Sequence, residues 1–252
     1  MPEIALITGG NRGLGRAYAL ALAEAGVDLI LTYRTPAKDA IEAVLAEARG
    51  LGRTAVAIPL DTREINTFDQ FTATVREALR TTWERDDFDF LLNNAGTGPG
   101  ATIADTTVEM VDEVFAVHFR GPFFLTQKLL PLIADGGRIL NFSTGLSRFT
   151  GEGLYSAYGA MKGAVEVFTR YLAKEVAPRG ISANVIAAGA TATEFAGGGL
   201  LDENVGAYIG TQTARGRIGR PADIAGVVVA MLTGDTGWVT AQRIEASGGM
   251  LI

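Results

Sequence analysis

An apolar run, Ile4-Ala5-Leu6-Ile7-Thr8, passes directly into Gly9-Gly10-Asn11-Arg12-Gly13-Leu14-Gly15 and then into an alanine- and leucine-rich stretch over 17–25. Strand, glycine turn and helix in that order aim free backbone N–H groups and a positive helix end at one point, an arrangement that receives a phosphate. The strict spacing G-x-G-x-x-G is not met, because Tyr18 stands where the third glycine would be; the glycines instead follow G-x-x-x-G-x-G at Gly9, Gly13 and Gly15.

The same alternation continues along the chain. Strands are expected at 27–32, 54–60, 88–92, 138–142, 182–187 and near 243–246. Helices are expected at about 36–49, 68–83, from a capping box at Thr106-Thr107-Val108-Glu109 through 123–130, from Tyr158 to about 178, and at 221–232, with a break at Gly136-Gly137. Short strands separated by longer helical periods imply parallel crossovers. The expected architecture is one domain over 1–252: an α/β, doubly wound Rossmann-type parallel sheet of about seven strands with helices on both faces. Ligands of such sheets sit beyond the carboxyl ends of the strands. Gly9 to Gly15, Asn94, Ser143, Thr144 and Gly189 all fall at such ends.

Composition narrows the chemistry. The 252 residues contain no Pro/Ser-rich linker or charge block, and the net charge of −6 argues against a nucleic acid or an anionic membrane as partner. With no cysteine, thiolate nucleophiles, disulfides and cysteine zinc sites are excluded; with His118 as the one histidine, so is any histidine pair. No apolar run approaches the ~18 residues of a membrane span, and Met1-Pro2-Glu3 leaves no room for a signal peptide before the first strand. A cytoplasmic location and a small-molecule partner are the expectations.

Tyr158 and Lys162 stand four residues apart at the start of a helix, a spacing that places both side chains on one face. A fixed ammonium beside a phenol favours the phenolate, so the pair is expected to have an acidified tyrosine fit for general acid–base work.

Thr8-Gly9-x-x-x-Gly13-x-Gly15, Asn93-Asn94-Ala95-Gly96, Asn141-Phe142-Ser143-Thr144 and Tyr158-x-x-x-Lys162 occur in this order, and the chain closes on Gly248-Gly249. Together these motifs resemble the short-chain dehydrogenase/reductase family over essentially the whole chain. The resemblance implies an oxidoreductase that moves a hydride between a nicotinamide cofactor and a carbonyl or alcohol. Tyr158 would be the acid/base, and Lys162 both its activator and a ribose ligand. It implies a hydroxyl donor next to the tyrosine, where Thr144 takes the usual serine position and Ser143 adjoins it; which of the two serves stays open. Asn11, Arg12, Leu14, Asp61, Thr62, Asn94, Ala95, Gly96, Gly189, Thr191 and Thr193 join the three glycines as expected cofactor contacts, with Asp61 on the adenine amine. A homotetramer or dimer is implied, in keeping with the Tyr158 helix being apolar on more than one side.

Charge points to the form of the cofactor. The second strand ends Thr32-Tyr33-Arg34 with no acid to repel a 2′-phosphate, and Arg12 and Arg34 are placed to grip one from two sides. NADP(H) is therefore expected. Two departures from the family pattern stand out. His118 occupies a position where asparagine is usual; it reads either as a satisfied core residue or as a group that ordinarily titrates near neutrality, and its role stays open. Ala188-Gly189 replaces the usual Pro-Gly. The stretch 191–217, with Gly197-Gly198-Gly199, Leu200, Leu201, Tyr208 and Ile209, reads as a substrate lid. Phe149, Leu154 and Tyr155 are expected to complete a partly apolar pocket. A non-catalytic NADP(H)-binding sensor on the same fold is the competing reading.

Overall fold

The computed structural model describes residues 2–151 and 153–252. Its strands are β1 (Ile4–Ile7), β2 (Asp28–Tyr33), β3 (Ala55–Pro59), β4 (Phe88–Asn93), β5 (Ile133–Thr144), β6 (Ser182–Ala188) and β7 (Arg243–Ala246). They form one sheet in the order β3-β2-β1-β4-β5-β6-β7, with every neighbouring pair parallel. The order reverses between β1 and β4, so a crevice opens beyond the carboxyl ends of those strands. The expected fold class is the observed one.

Both faces of the sheet are covered, which is why the strands are apolar without alternation. Successive side chains still part to opposite sides. Ala5, Ile7, Leu29, Leu31, Phe90 and Leu92 pack with Tyr18, Leu22, Val44 and Val228, contributed by helices α1 (Gly13–Glu24), α2 (Lys38–Gly50) and α8 (Pro221–Thr233). Ile4, Leu6, Ile30 and Leu91 pack with Phe68, Leu79, Leu125 and Leu172, from α3 (Phe68–Trp83), α5 (Gly121–Leu129) and α6 (Ser156–Val176). Each fully buried aliphatic side chain contributes roughly 1.5–3 kcal/mol, so two such layers anchor the strand ends that carry the site.

Three local features differ from the sequence expectation. The Gly136-Gly137 break is a bulge inside β5: Gly136 has φ +79°, and the register against β4 shifts between Phe88 and Phe90. The helix after 106 is two helices, α4 (Val108–Phe115) and α5, joined by a π-helical turn, Ala116–Arg120, that holds His118. Its cap is Thr107, not Thr106: the Thr107 hydroxyl accepts the Met110 N–H at 3.3 Å, one residue later than the S/T-x-x-E spacing implies. The stretch 191–217 contains α7 (Glu203–Thr211), preceded by a tight segment, Phe195–Leu201, in which Ala196, Gly197 and Gly198 are left-handed. Among the described residues, no helix is long and apolar enough to cross a membrane.

Candidate active site

The glycine turn is clamped from the neighbouring strand. The Thr8 hydroxyl accepts the backbone N–H groups of Asn94 and Ala95, each at 2.9 Å, and the Asn94 side-chain amide donates to Thr8 O at 2.9 Å and Gly9 O at 3.2 Å. Gly9 and Gly13 have φ +70° and +54°, and a Cβ on Gly15 would collide with the Gly9 carbonyl and the Asn94 amide. Glycine is required there by close approach. α1 begins at this point with Arg12 as its N-cap, no side chain capping its first turn and no acid in it. Its dipole end is thus presented to an anion.

Around this turn the expected cofactor residues divide. Arg34 is exposed at the end of β2. Arg12 is exposed and pairs with Glu194, Nη1 to Oε2 at 3.3 Å, which links the turn to the segment after β6. Asp61 is engaged by the Arg63 guanidinium, with Nε 2.9 Å from Oδ1 and 3.1 Å from Oδ2, and this bond holds its carboxyl below the usual range. Within the chain its partner is Arg63. Thr62 is buried, with its carbonyl against Gly121. Gly96 lies against the His118 ring, and Gly189 is held by its N–H to Ala246 O at 3.0 Å. Thr191 and Thr193 are buried, their hydroxyls donating to Gly189 O at 3.0 Å and Thr191 O at 3.4 Å.

At the end of β5 the pleat separates the two hydroxyl candidates. Ser143 is turned away from Tyr158: its hydroxyl donates to Glu166 Oε1 at 2.6 Å. The Thr144 hydroxyl meets the Tyr158 phenol, a hydrogen bond that lowers the phenol's pKa against the larger effect of burial, which raises it above its ordinary value. Lys162 is buried, with Nζ donating to Phe142 O at 2.7 Å and lying 5.7 Å from the centre of the Tyr158 ring. Desolvation lowers its own pKa to about 7. The expected acidification of Tyr158 by Lys162 is thus not found. The ammonium is directed at a backbone carbonyl, and burial disfavours the charge of both groups.

His118 packs edge-on to Tyr158, ring centres 5.0 Å apart, and its Nε2 is 2.6 Å from Thr97 O. That carbonyl needs a donor, which assigns the proton to Nε2. Nδ1 is buried without a partner. Burial first, and the nearby Lys162 second, push the imidazole well below its ordinary value, so it stays neutral near pH 7. Phe195 covers the other side, its ring centred 5.7 Å from that of Tyr158 and packed onto Gly98; Tyr155 stands 6.3 Å away.

A family model described as Enoyl-(Acyl carrier protein) reductase matches residues 9–251. The chain belongs to the short-chain dehydrogenase/reductase family. Among relatives in this family, an uncharacterized oxidoreductase of Methylorubrum extorquens is 32% identical over 98% of this chain and 97% of its own length. A tetrahydroxynaphthalene reductase of Pestalotiopsis fici is 33% identical over 98% and 91%. The crystal structure of the angucycline C-6 ketoreductase LanV with bound NADP superposes with a TM-score of 0.92 at 32% identity, covering 99% of this chain and 95% of that one. The reductase LugOII, described as promiscuous and as catalysing keto-reduction at C1 during lugdunomycin biosynthesis, gives a TM-score of 0.92 at 33% identity over 99% and 98%.

Two residues of this short-chain dehydrogenase/reductase site escaped the sequence reading. Phe195 is the aromatic just before the glycine run Gly197-Gly198-Gly199, and only its fold-back onto Gly98 brings it to Tyr158. Glu166 carried a usable signal: with Tyr158 and Lys162 it forms an i, i+4, i+8 stripe on α6.

Proposed function

We propose that the protein is an NADP(H)-dependent reductase or dehydrogenase of a small, partly apolar carbonyl or alcohol. The observation that carries this is the meeting of the Thr144 hydroxyl, the Tyr158 phenol and the Lys162 amine at the carboxyl end of β5. The residues fit the cofactor: the uncapped end of α1 would take its pyrophosphate, and Arg12 with the exposed Arg34 its 2′-phosphate, with no acid closing β2. NADP(H), when bound, supplies or accepts the hydride. The Thr144 hydroxyl holds the substrate oxygen and Tyr158 delivers a proton to it in reduction. A phenol held above its ordinary pKa by burial stays protonated at neutral pH, as a donor must. Lys162, with a pKa near neutrality, can carry the replacement proton. Phe195 and Tyr155 shield the reacting oxygen from water, and the stretch 191–217 serves as the lid. The assembly is a homodimer or homotetramer, built on apolar helix faces that stay exposed in one chain.

Mixing the protein with NADPH and a panel of ketones and aldehydes and following absorbance of the reduced cofactor tests this. Turnover is expected, and Tyr158→Phe should lower kcat by roughly 10²–10⁴-fold while still binding NADPH. Cofactor binding with no turnover of any carbonyl or alcohol in either direction would instead favour a sensor on the same fold.

A further inference from the structure

Beside Thr144, between the end of β5, α6 and β7, lies a charged network that the proposed reaction does not use. Glu166 Oε1 is 2.6 Å from Ser143 Oγ, 2.6 Å from Ser147 Oγ and 2.8 Å from Arg243 Nε. Arg243 Nη2 donates to the Thr144 carbonyl at 3.2 Å, and Ser147 Oγ lies 2.8 Å from that same carbonyl. Ser147 has one proton to give, so it serves the carboxylate or the carbonyl, and Arg243 bridges both. Arg243 is anchored at its other end by Glu245, which Arg148 also binds at 2.8 Å while holding the Met250 carbonyl at 2.9 Å. Two structural consequences follow. The carboxylate fixes which way Ser143 points, and strand alternation then fixes Thr144 on the opposite side. Arg243 and Ser147 pin the Thr144 backbone, while the turn after it is wedged on α6, where a Cβ on Gly159 would lie 2.9 Å from Leu146 O.

We propose that Glu166, acting with Arg243, is a positioning residue that aims the Thr144 hydroxyl at Tyr158; this rests on the acid–base reading of that pair. Glu166 sits eight residues after Tyr158 on the same stripe of α6, so one helix carries both the proton donor and the clamp that orients its partner. The clamp is largely shielded, with side chains of Glu166 and Arg243 only 15% and 22% exposed, so water competes weakly for its bonds. A loss of aim at Thr144 would weaken the reacting geometry more than cofactor binding, since misplacement by about 1 Å can cost on the order of 10²-fold in rate.

The test is a double-mutant cycle on the full-length protein with NADPH and a ketone that the wild type reduces. E166Q keeps the size of the side chain and removes its charge. It should lower kcat about tenfold, leave the dissociation constant of NADPH within about twofold, and have less than a twofold effect in a Thr144→Ala background, because removing the hydroxyl removes what Glu166 aims. E166D, which retains the carboxylate, should recover part of the loss. In the cofactor-free protein, the Thr144 γ-methyl NMR resonance, assigned by its loss in Thr144→Ala, should move in E166Q, a readout independent of turnover. Equal losses from E166Q in both backgrounds, or kcat at the wild-type level with an unmoved methyl resonance, would overturn the proposal and leave the Tyr158 reading standing. A Tyr158→Phe variant as active as wild type would remove that reading and this one with it.

Discussion

Arg12 stands at the point where the sequence argument about the cofactor meets the geometry. Its guanidinium is 58% exposed and 3.3 Å from an equally open Glu194. An ion pair of that kind contributes about 0–1 kcal/mol, so a 2′-phosphate can draw Arg12 away at little cost. Arg34, exposed at the end of β2, has no acid beside it on that strand end, and its field already reaches Asp61. A charge-assisted hydrogen bond contributes about 1.5–3 kcal/mol, tenfold or more in affinity. Replacing both arginines by alanine is therefore expected to weaken NADPH by a factor of ten or more and NADH by less than threefold, as read by titrating the cofactor's fluorescence. Equal losses for the two cofactors would show that the arginines do not read the phosphate. At this scale the sequence was informative about identity and poor about direction. It named Ser143 and Thr144 together, and only the pleat of β5 decides which faces Tyr158. It placed Lys162 beside the phenol, but the pull of the Phe142 carbonyl on Nζ arises from a strand twenty residues earlier.

The helices show the same division. α6 has an inward stripe, Val165, Thr169, Leu172 and Val176, buried against the sheet. Its outward side carries Val167 at 45% and Tyr171 at 76% exposure, and α4, which packs against α6, exposes Val108, Val111 and Phe115. Apolar residues at helical spacing on two neighbouring helices form a surface suited to the same surface of a second copy around a two-fold axis. Val167→Asp combined with Tyr171→Asp should reduce the solution mass measured by light scattering to that of one chain, and a wild-type protein that is already monomeric would end the argument. The succession of strands and helices and the glycine turn were legible because each rests on local periodicity or on glycine. The π-helical turn around His118 was not, since Ala116-Val117-His118-Phe119-Arg120 carries no helix-breaking residue. The bulge in β5 was read as an end because two glycines ordinarily mark one.

Tyr158, Lys162 and His118, three buried titratable groups, lie together at the carboxyl end of β5, and this ties folding to pH. Lys162 and His118 both lie below their ordinary values, so the unfolded chain binds more protons than the folded one across each gap: from about 7 to 10.5 for Lys162, and below 6.5 for His118. Stability therefore rises with pH through these windows and is lost as pH falls through the folded values. Tyr158 and Tyr18 are raised above 10.0, so their contribution is full below that pH and declines above it. Glu245, lowered to about 2 chiefly by Arg148, acts only on the acid side, its contribution lost as pH falls from 4.5. Between pH 7 and 10 Lys162 is the group left to dominate, and one proton corresponds to a slope of roughly 1.4 kcal/mol per pH unit at most. The Tm of the cofactor-free protein should climb across that interval, and Lys162→Met, which keeps the stem and removes the amine, should flatten the climb. Parallel curves for the two proteins over pH 7–10 would mean that the amine is solvated in the folded state, contrary to the buried contact with Phe142.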